Sequence, residues 1–142
     1  MPTIHNLRPM LEVHDPDETL AFYEKVLGFE CVAKMSHEEG GKPFWFQVRR
    51  GDVWMMFTWS EPHEHEPGED HSHDPALSGA LYINVDDADA LHAEIQAAGG
   101  RFEQPPTTQP YEMRDFSLRD PNGYLLIFGS PVSGSGGASN PA

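Results

Sequence analysis

The amino-acid sequence predicts an α+β fold built from two copies of one βαβββ module. Residues 11–28 and 83–100 share a strand, cap and helix pattern, and five identical pairs stand at one constant spacing, from Val13 and Val85 to Gly28 and Gly100. Three segments that resemble half-buried strands follow each helix, and turn sequences interrupt them. A repeated unit of this kind predicts two modules in one domain.

The first helix is predicted by its start and stop signals. Asp15 can cap it, Pro16 suits its first turn, and Glu18 stands at capping-box spacing. Gly28 is a natural stop. The apolar residues between them recur at helical spacing and are expected to face a sheet: Leu20, Tyr23, Val26 and Leu27. The second helix is predicted over residues 88–98 by the same pattern.

Strands are predicted after each helix. The segments are 29–35, 43–50 and 52–59 in the first module, and 101–104, 113–119 and 123–129 in the second. Arg50-Gly51-Asp52 and Asp120-Pro121-Asn122-Gly123 are turn sequences, because glycine and asparagine tolerate a positive φ and proline presets its own φ.

These elements predict one domain over residues 1–130. Module one covers 5–59, an acidic, histidine-rich linker covers 60–77, and module two covers 78–130. The Gly/Ser-rich end, 131–142, is expected to be a disordered tail.

Composition excludes several classes of protein. With 142 residues, 38% of them hydrophobic, the chain can bury a core. Its net charge of −14 would repel nucleic acid and anionic membranes. No apolar run could span a bilayer, and residues 1–13 lack a signal-peptide layout, so a cytoplasmic protein is expected. The single cysteine, Cys31, excludes an internal disulfide framework.

Two segments carry a resemblance to a known family. AFYEKVLGFE and RDPNGYLLIFG, together with the paired modules, resemble the vicinal oxygen chelate superfamily, which contains glyoxalase I, bleomycin resistance proteins and extradiol dioxygenases. The resemblance covers roughly residues 5–130. It implies that each module curls its mixed sheet into a half-barrel cup, and that two cups form one cavity within a chain or across a dimer. A homodimer is therefore expected.

The resemblance also implies where a metal would bind. Metal-dependent members place His, Glu or Gln ligands on the first and last strands of each module, and these positions correspond to Arg8, Met55, Ala80 and Ile127. Arginine is always protonated, alanine and isoleucine have no donor atom, and methionine prefers soft ions. The chain is therefore expected to use neither a metal nor another cofactor.

The same resemblance indicates which side chains line the cavity. The expected ligand-binding set combines arginines, methionines and aromatic residues, and it consists of Arg8, Met10, Trp45, Met55, Phe57, Tyr82, Arg114 and Phe116. The alternatives are that these side chains form ordinary core and that Arg8 bridges Glu12 or Asp115. Arg114 and Asp115 alternate along one strand, and Arg114 is predicted to be the one that faces the cavity.

The segment HEHEPGEDHSHD, residues 63–74, is the most unusual in composition. Its four histidines could bind Zn²⁺, Ni²⁺ or Cu²⁺ weakly, but prolines and a glycine leave nothing to hold them in place. A solvated linker is predicted. A metal site formed by His63, His65, His71 and His73 is the alternative.

Two functions are consistent with these patterns. The first is a metal-independent protein that sequesters a small aromatic or drug-like molecule, similar to bleomycin resistance proteins. The second is an enzyme of the glyoxalase or lyase type, with a displaced metal or with Arg8 and a tyrosine as an acid pair. No catalytic residue is predicted, and the four ligand positions favour the first.

Overall fold

The computed structural model describes residues 1–61 and 79–132 of the chain. The chain divides into two compact units, Met1–Ala76 and Leu77–Ala142. Each unit has the element order βαβββ, which confirms the predicted α+β modules. The histidine-rich segment 63–74 and residues 133–142 lie outside the described residues.

The first unit contains four strands and one helix. Strand β1 spans Met10–Glu12, helix α1 spans Pro16–Ala21 and continues as a π-helical turn over Phe22–Val26, and strands β2, β3 and β4 span Glu30–Ser36, Pro43–Arg50 and Val53–Thr58. The sheet order is β1-β4-β3-β2, with β1 parallel to β4 and the other pairs antiparallel. Parallel pairing of the first and last strands is possible because a long crossover joins them.

The second unit repeats this arrangement. Strand β5 spans Ala80–Asn84, helix α2 spans Ala88–Ala97, and strands β6, β7 and β8 span Gln104–Thr108, Met113–Arg119 and Leu125–Pro131. The sheet order is β5-β8-β7-β6, and β5 is parallel to β8. Within the described residues no helix is long and apolar enough to cross a membrane.

The helix caps lie where the internal repeat predicts them. The Asp15 carboxylate accepts the backbone N–H groups of Asp17 at 3.0 Å and Glu18 at 3.5 Å. Asp87, its counterpart, accepts the N–H of Ala90 at 3.0 Å. Gly28 has a φ of 73°, as a helix stop requires, but after α2 the left-handed residue is Gly99 with a φ of 94°. At the spacing of the repeat, Gly28 corresponds to Gly100, so the left-handed glycine after α2 comes one residue earlier than the repeat predicts.

One face of each sheet packs against the helix of its own unit, and we call it the helix face. In the first unit Tyr23 contacts Phe57 at a ring-centroid distance of 4.8 Å, and Phe46 stacks on Phe57 at 5.0 Å. In the second unit Phe116 stacks on Phe128 at 5.4 Å. All five rings are buried, so the helix faces contain aromatic cores.

Two strand predictions were wrong at their boundaries by two residues or more. Strand β6 was expected over 101–104 but spans Gln104–Thr108, because the consecutive Pro105 and Pro106 occupy an irregular stretch of an edge strand, where their missing N–H groups are tolerated. Strand β8 was expected over 123–129 but spans Leu125–Pro131. It begins later because the N–H of Tyr124 still belongs to the turn, where it donates to the Asp120 carboxylate at 3.0 Å.

The division of each sheet into two faces predicts different costs for two substitutions. Phe57→Ala should lower the free energy of unfolding by about 3–5 kcal/mol, because it leaves a cavity beside Tyr23 and Phe46. Met10→Ala, on the other face and 59% exposed, should change it by less than about 0.5 kcal/mol. Urea unfolding of both variants measures the difference. Equal losses would contradict the assignment of Phe57 to the helix face.

Candidate functional sites on the helix-free faces

The second face of the first sheet carries no helix of its own unit. We call it the first helix-free face, and the register assigns to it Met10, Met35, Trp45, Gln47, Trp54 and Met56. Met10 lies opposite Met56, which lies opposite Gln47, and Met35 lies opposite Trp45. Side chains alternate between the two faces along a strand, so these residues point away from α1. Met10 and Met35 are 59% and 49% exposed.

Arginine and tryptophan meet on this face. The Arg8 guanidinium carbon lies 4.3 Å from the centre of the Trp54 ring, and that of Arg49 lies 5.3 Å away. Arg8 also donates to Oε1 of Gln47 at 3.2 Å, while Arg49 forms an ion pair with Glu30. Guanidinium groups over an indole ring gain a cation–π attraction. The result is an indole ring with two guanidinium groups over it, on a face that also carries the carboxylates of Glu12 and Glu30.

The corresponding face of the second unit is organised around a buried carboxylate. We call it the second helix-free face, and it carries Tyr82, Asp115, Ser117 and Ile127. Asp115 is only 2% exposed. Its Oδ2 accepts hydrogen bonds from the hydroxyls of Tyr82 at 3.0 Å and Tyr111 at 2.6 Å, and its Oδ1 accepts one from Nε2 of Gln109 at 2.9 Å.

A glycine makes room for this arrangement. Gly129 lies opposite Asp115 in the sheet, and the Tyr82 side chain lies across it. A Cβ atom at Gly129 would stand 2.1 Å from the Tyr82 hydroxyl oxygen, well inside van der Waals contact. The absence of a side chain at Gly129 therefore allows Tyr82 to reach Asp115.

Burial and Asp115 together raise the pKa of both tyrosines. Burial, followed by the hydrogen bond to Asp115 and its negative charge, raises the pKa of Tyr82. The hydrogen bond to Asp115, followed by burial, raises the pKa of Tyr111. Both phenols therefore keep their protons and act as hydrogen-bond donors. A phenol with a raised pKa is a poor general acid near neutral pH, because general acid catalysis is most effective when the pKa of the acid lies close to the pH.

The predicted ligand-binding residues divide between the faces. Arg8, Met10 and Trp45 are on or beside the first helix-free face, and Tyr82 is on the second. Met55, Phe57 and Phe116 were expected beside them, but they are at most 1% exposed and point into the helix faces. Arg114, predicted to face the cavity, instead pairs with Asp89 of α2 at 2.8 Å. Asp115 takes the position expected for Arg114.

Sequence reasoning missed Asp115, Tyr111 and Gln109. The alternation in β7 offered only the choice between Arg114 and Asp115, and a one-residue change of register exchanges the faces of a whole strand. Tyr111 and Gln109 lie in the turn before β7 and carried no recognisable signal. The position of Asp89 in the first turn of α2 was the one clue, since it offers Arg114 a partner on the opposite face.

The register also corrects one of the four metal-ligand positions. Met10 and Tyr82 are equivalent in the two units, and they pair with Met56 and Ile127. The counterpart of Ile127 is therefore Met56 and not Met55. The four side chains at these positions, Arg8, Met56, Ala80 and Ile127, do not fit a hard or borderline divalent metal. Within residues 1–61 and 79–132, no group of three His, Cys, Asp or Glu side chains is placed to hold a metal ion.

Comparisons with known proteins agree on the fold. A family model described as the Glyoxalase/Bleomycin resistance protein/Dioxygenase superfamily matches residues 6–128. The chain is 27% identical to glyoxalase I of Saccharomyces cerevisiae and 31% identical to a putative glyoxylase, CFP32, of Mycobacterium tuberculosis; each alignment covers 82% of this chain and 40% of the relative. The chain thus spans about two fifths of the length of these curated relatives.

A solved structure is similar over nearly the whole chain. The bleomycin-binding protein from bleomycin-producing Streptomyces verticillus, complexed with copper(II)-bleomycin, has a TM-score of 0.65 and 26% identity. The superposition covers 90% of this chain and 97% of that chain.

The position of Gly129 predicts a local effect of substitution. Gly129→Ala should push the Tyr82 ring off Asp115 and cost about 1–3 kcal/mol of stability. The pKa of Tyr82 should then fall toward its ordinary value of about 10. Phenolate absorbance and urea unfolding measure the two effects. Adding Tyr82→Ala should remove most of the extra cost, and fully additive losses would show that the two residues do not meet.

The hydrogen bonds to Asp115 predict a shift of tyrosine titration. Both phenols bind their protons more tightly in the folded chain, so their contribution to stability is complete below a pH of about 10 and is lost as the pH rises further. Asp115→Asn should lower the pKa of Tyr82 and Tyr111, and phenolate absorbance should appear at lower pH. Asp89→Asn, which removes a carboxylate from the opposite face, should leave the titration unchanged. An unaltered titration in Asp115→Asn would contradict the assignment.

Proposed function

Because the chain belongs to the glyoxalase/bleomycin resistance protein/dioxygenase superfamily, we propose that it is a metal-independent protein that binds and sequesters a small aromatic or drug-like molecule. The Streptomyces verticillus relative was solved with bound copper(II)-bleomycin, which supports a ligand of this class. The family positions for metal ligands hold Arg8, Met56, Ala80 and Ile127, which also favours binding without a metal.

The observation that carries this proposal is the surface around Trp54. An indole ring lies beneath the guanidinium groups of Arg8 and Arg49, and the exposed thioethers of Met10 and Met35 share its sheet face. Flat aromatic and adaptable thioether groups bind planar organic molecules by stacking and dispersion. Few polar groups among many apolar ones is the usual composition of a small-molecule site.

The alternative function is that of a glyoxalase-type lyase or isomerase, which the curated relatives favour by their names. Two features weigh against it. The pKa of Tyr82 is raised, which makes this phenol a weaker acid for the expected acid pair with Arg8. Burial, more than the neighbouring groups, also raises the pKa of the Cys31 thiol, so it is not activated as a nucleophile.

Two further expectations belong to the proposal. We propose that the chain acts as a homodimer, because relatives of this fold complete their cavities from two half-barrel cups. A cytoplasmic location is proposed on the composition of the chain. Sedimentation equilibrium tests the first of these, and fractionation of the producing cells tests the second.

Ligand binding is tested by calorimetric titration of the chain with metal-free bleomycin. Saturable binding is expected, and Trp54→Leu should weaken it by about tenfold, since an aromatic anchor of an interface contributes on the order of 1–2 kcal/mol. Trp59→Leu is the matched control, because Trp59 donates its indole N–H to the carbonyl oxygen of His14 at 3.2 Å, beside the start of α1. This variant should bind as the parent does.

The competing enzymatic function is assayed on the same preparations. Conversion of the hemithioacetal of methylglyoxal and glutathione is followed with and without added Zn²⁺, Ni²⁺ and Mn²⁺. Turnover together with an absence of bleomycin binding would overturn the proposal. Bleomycin binding that is insensitive to Trp54→Leu would retain the function but move the site elsewhere.

A further inference from the structure

The second helix-free face holds a negative charge that no described cation neutralises. Asp115 is 2% exposed, and its three hydrogen-bond donors are two phenols and an amide, all of them neutral. Burying a carboxylate is costly unless hydrogen bonds or a counter-charge compensate it. Within the described ranges 1–61 and 79–132, hydrogen bonds supply this compensation and no ion pair to Asp115 occurs.

The nearby arginines are committed to other partners. Arg114 points to the helix face and binds Asp89 there. Arg119 shares the face of Asp115 but lies four residues further along β7, on the order of 13 Å away. It donates to Glu103 at 3.2 Å and to the carbonyl oxygen of Gly123 at 2.8 Å. The charge of Asp115 is therefore available to a ligand.

Two tyrosine rings stand between this charge and the solvent. Their hydroxyls converge on one oxygen atom, Oδ2 of Asp115, while Tyr82 and Tyr111 remain 42% and 57% exposed. An aromatic face attracts cations through its quadrupole, and hydrogen bonding to a carboxylate increases the electron density of a phenol. A cation on these rings would gain from both rings and from the carboxylate behind them.

The backbone is shaped to hold the rings in this arrangement. Gly129 accommodates Tyr82, as described above, and Glu112 adopts a left-handed φ of 64° in the turn that returns Tyr111 to Asp115. A non-glycine residue with a positive φ is strained unless its surroundings hold it. Two hydrogen bonds do so, from the N–H of Glu112 to the carbonyl of Gln109 at 3.1 Å and from the N–H of Val132 to the carbonyl of Glu112 at 3.1 Å.

We infer that Asp115, Tyr82 and Tyr111 form a recognition site for an organic cation, an ammonium or guanidinium group carried by an apolar or aromatic molecule. The inference rests on the proposed small-molecule-binding function and adds to the Trp54 surface of the first unit a second site, on the second unit, that prefers a positive charge. The net charge of −14 would draw such a molecule toward the chain from a distance. On the first helix-free face, Arg8 and Arg49 already lie over the Trp54 ring, so a further cation would compete with them there.

Three probes of similar shape test the inference: benzyltrimethylammonium, benzyl alcohol and phenylacetate. Each is titrated into the ¹⁵N-labelled full chain, and amide shifts are followed by NMR. Benzyltrimethylammonium should bind about tenfold more tightly than the other two, because only a cation gains from the carboxylate and the rings. Its shifts should centre on residues 109–115 and 127–129.

Variants separate the contribution of the charge from that of the rings. Asp115→Asn should weaken binding of benzyltrimethylammonium by about tenfold, and Tyr111→Leu by about threefold or more. Tyr111 is exposed, so this second variant tests the site even if Asp115→Asn fails to fold. Asp89→Asn carries the same loss of charge on the helix face of the same unit and should change the affinity by less than about twofold.

The outcomes separate this inference from the proposed function. Any of three results would overturn the cation site. The three probes could bind equally, the affinity could be unchanged in Asp115→Asn and Tyr111→Leu, or the amide shifts could centre on the first unit. Bleomycin binding that persists alongside any of these results would leave the proposed function standing. An absence of binding by bleomycin and by all three probes would overturn both.

Discussion

The parallel pairing between the first and last strands of each module is the constraint on which the rest of the structure depends. Met10 lies opposite Met56 in one unit, and Tyr82 lies opposite Ile127 in the other. Because side chains alternate along a regular strand, this register and the antiparallel pairs beside it assign the residues of the two central strands and of the first strand in each sheet to one of the two faces. Packing against the helix and exposure of the candidate binding groups both follow from it.

The two helix-free faces have different chemistry although the modules share one topology. The first presents an indole beneath two guanidinium groups, with methionines around it. The second presents two phenols bonded to a buried carboxylate. The helix faces, in contrast, are alike, since Phe46 and Phe57 stack in the first unit as Phe116 and Phe128 do in the second. The two units therefore share their aromatic cores and differ in the side chains of their helix-free faces.

Because the shared core and the exposed faces differ in this way, membership of the superfamily does not by itself fix the function of the chain. A fold supports many activities, and the activity depends on the residues placed in its site. The resemblance, combined with the strand register, implies that Arg8, Met56, Ala80 and Ile127 stand where some members hold metal ligands. The curated relatives named for glyoxalase activity are also about twice as long, since each alignment covers 82% of this chain and 40% of the relative. These two features support the proposal that the chain binds an organic ligand.

The sequence by itself determined the modules, their repeat and their helix caps. These features depend on local signals: Asp15 and Asp87 cap because an aspartate accepts nearby N–H groups, and Gly51 turns because it tolerates a positive φ. Only the tertiary structure decided that Asp115 and not Arg114 shares a face with Tyr82, and that Met55 and Phe57 belong to the core. Those assignments depend on the register between strands distant in sequence, which no local pattern specifies when both faces of a sheet carry apolar residues.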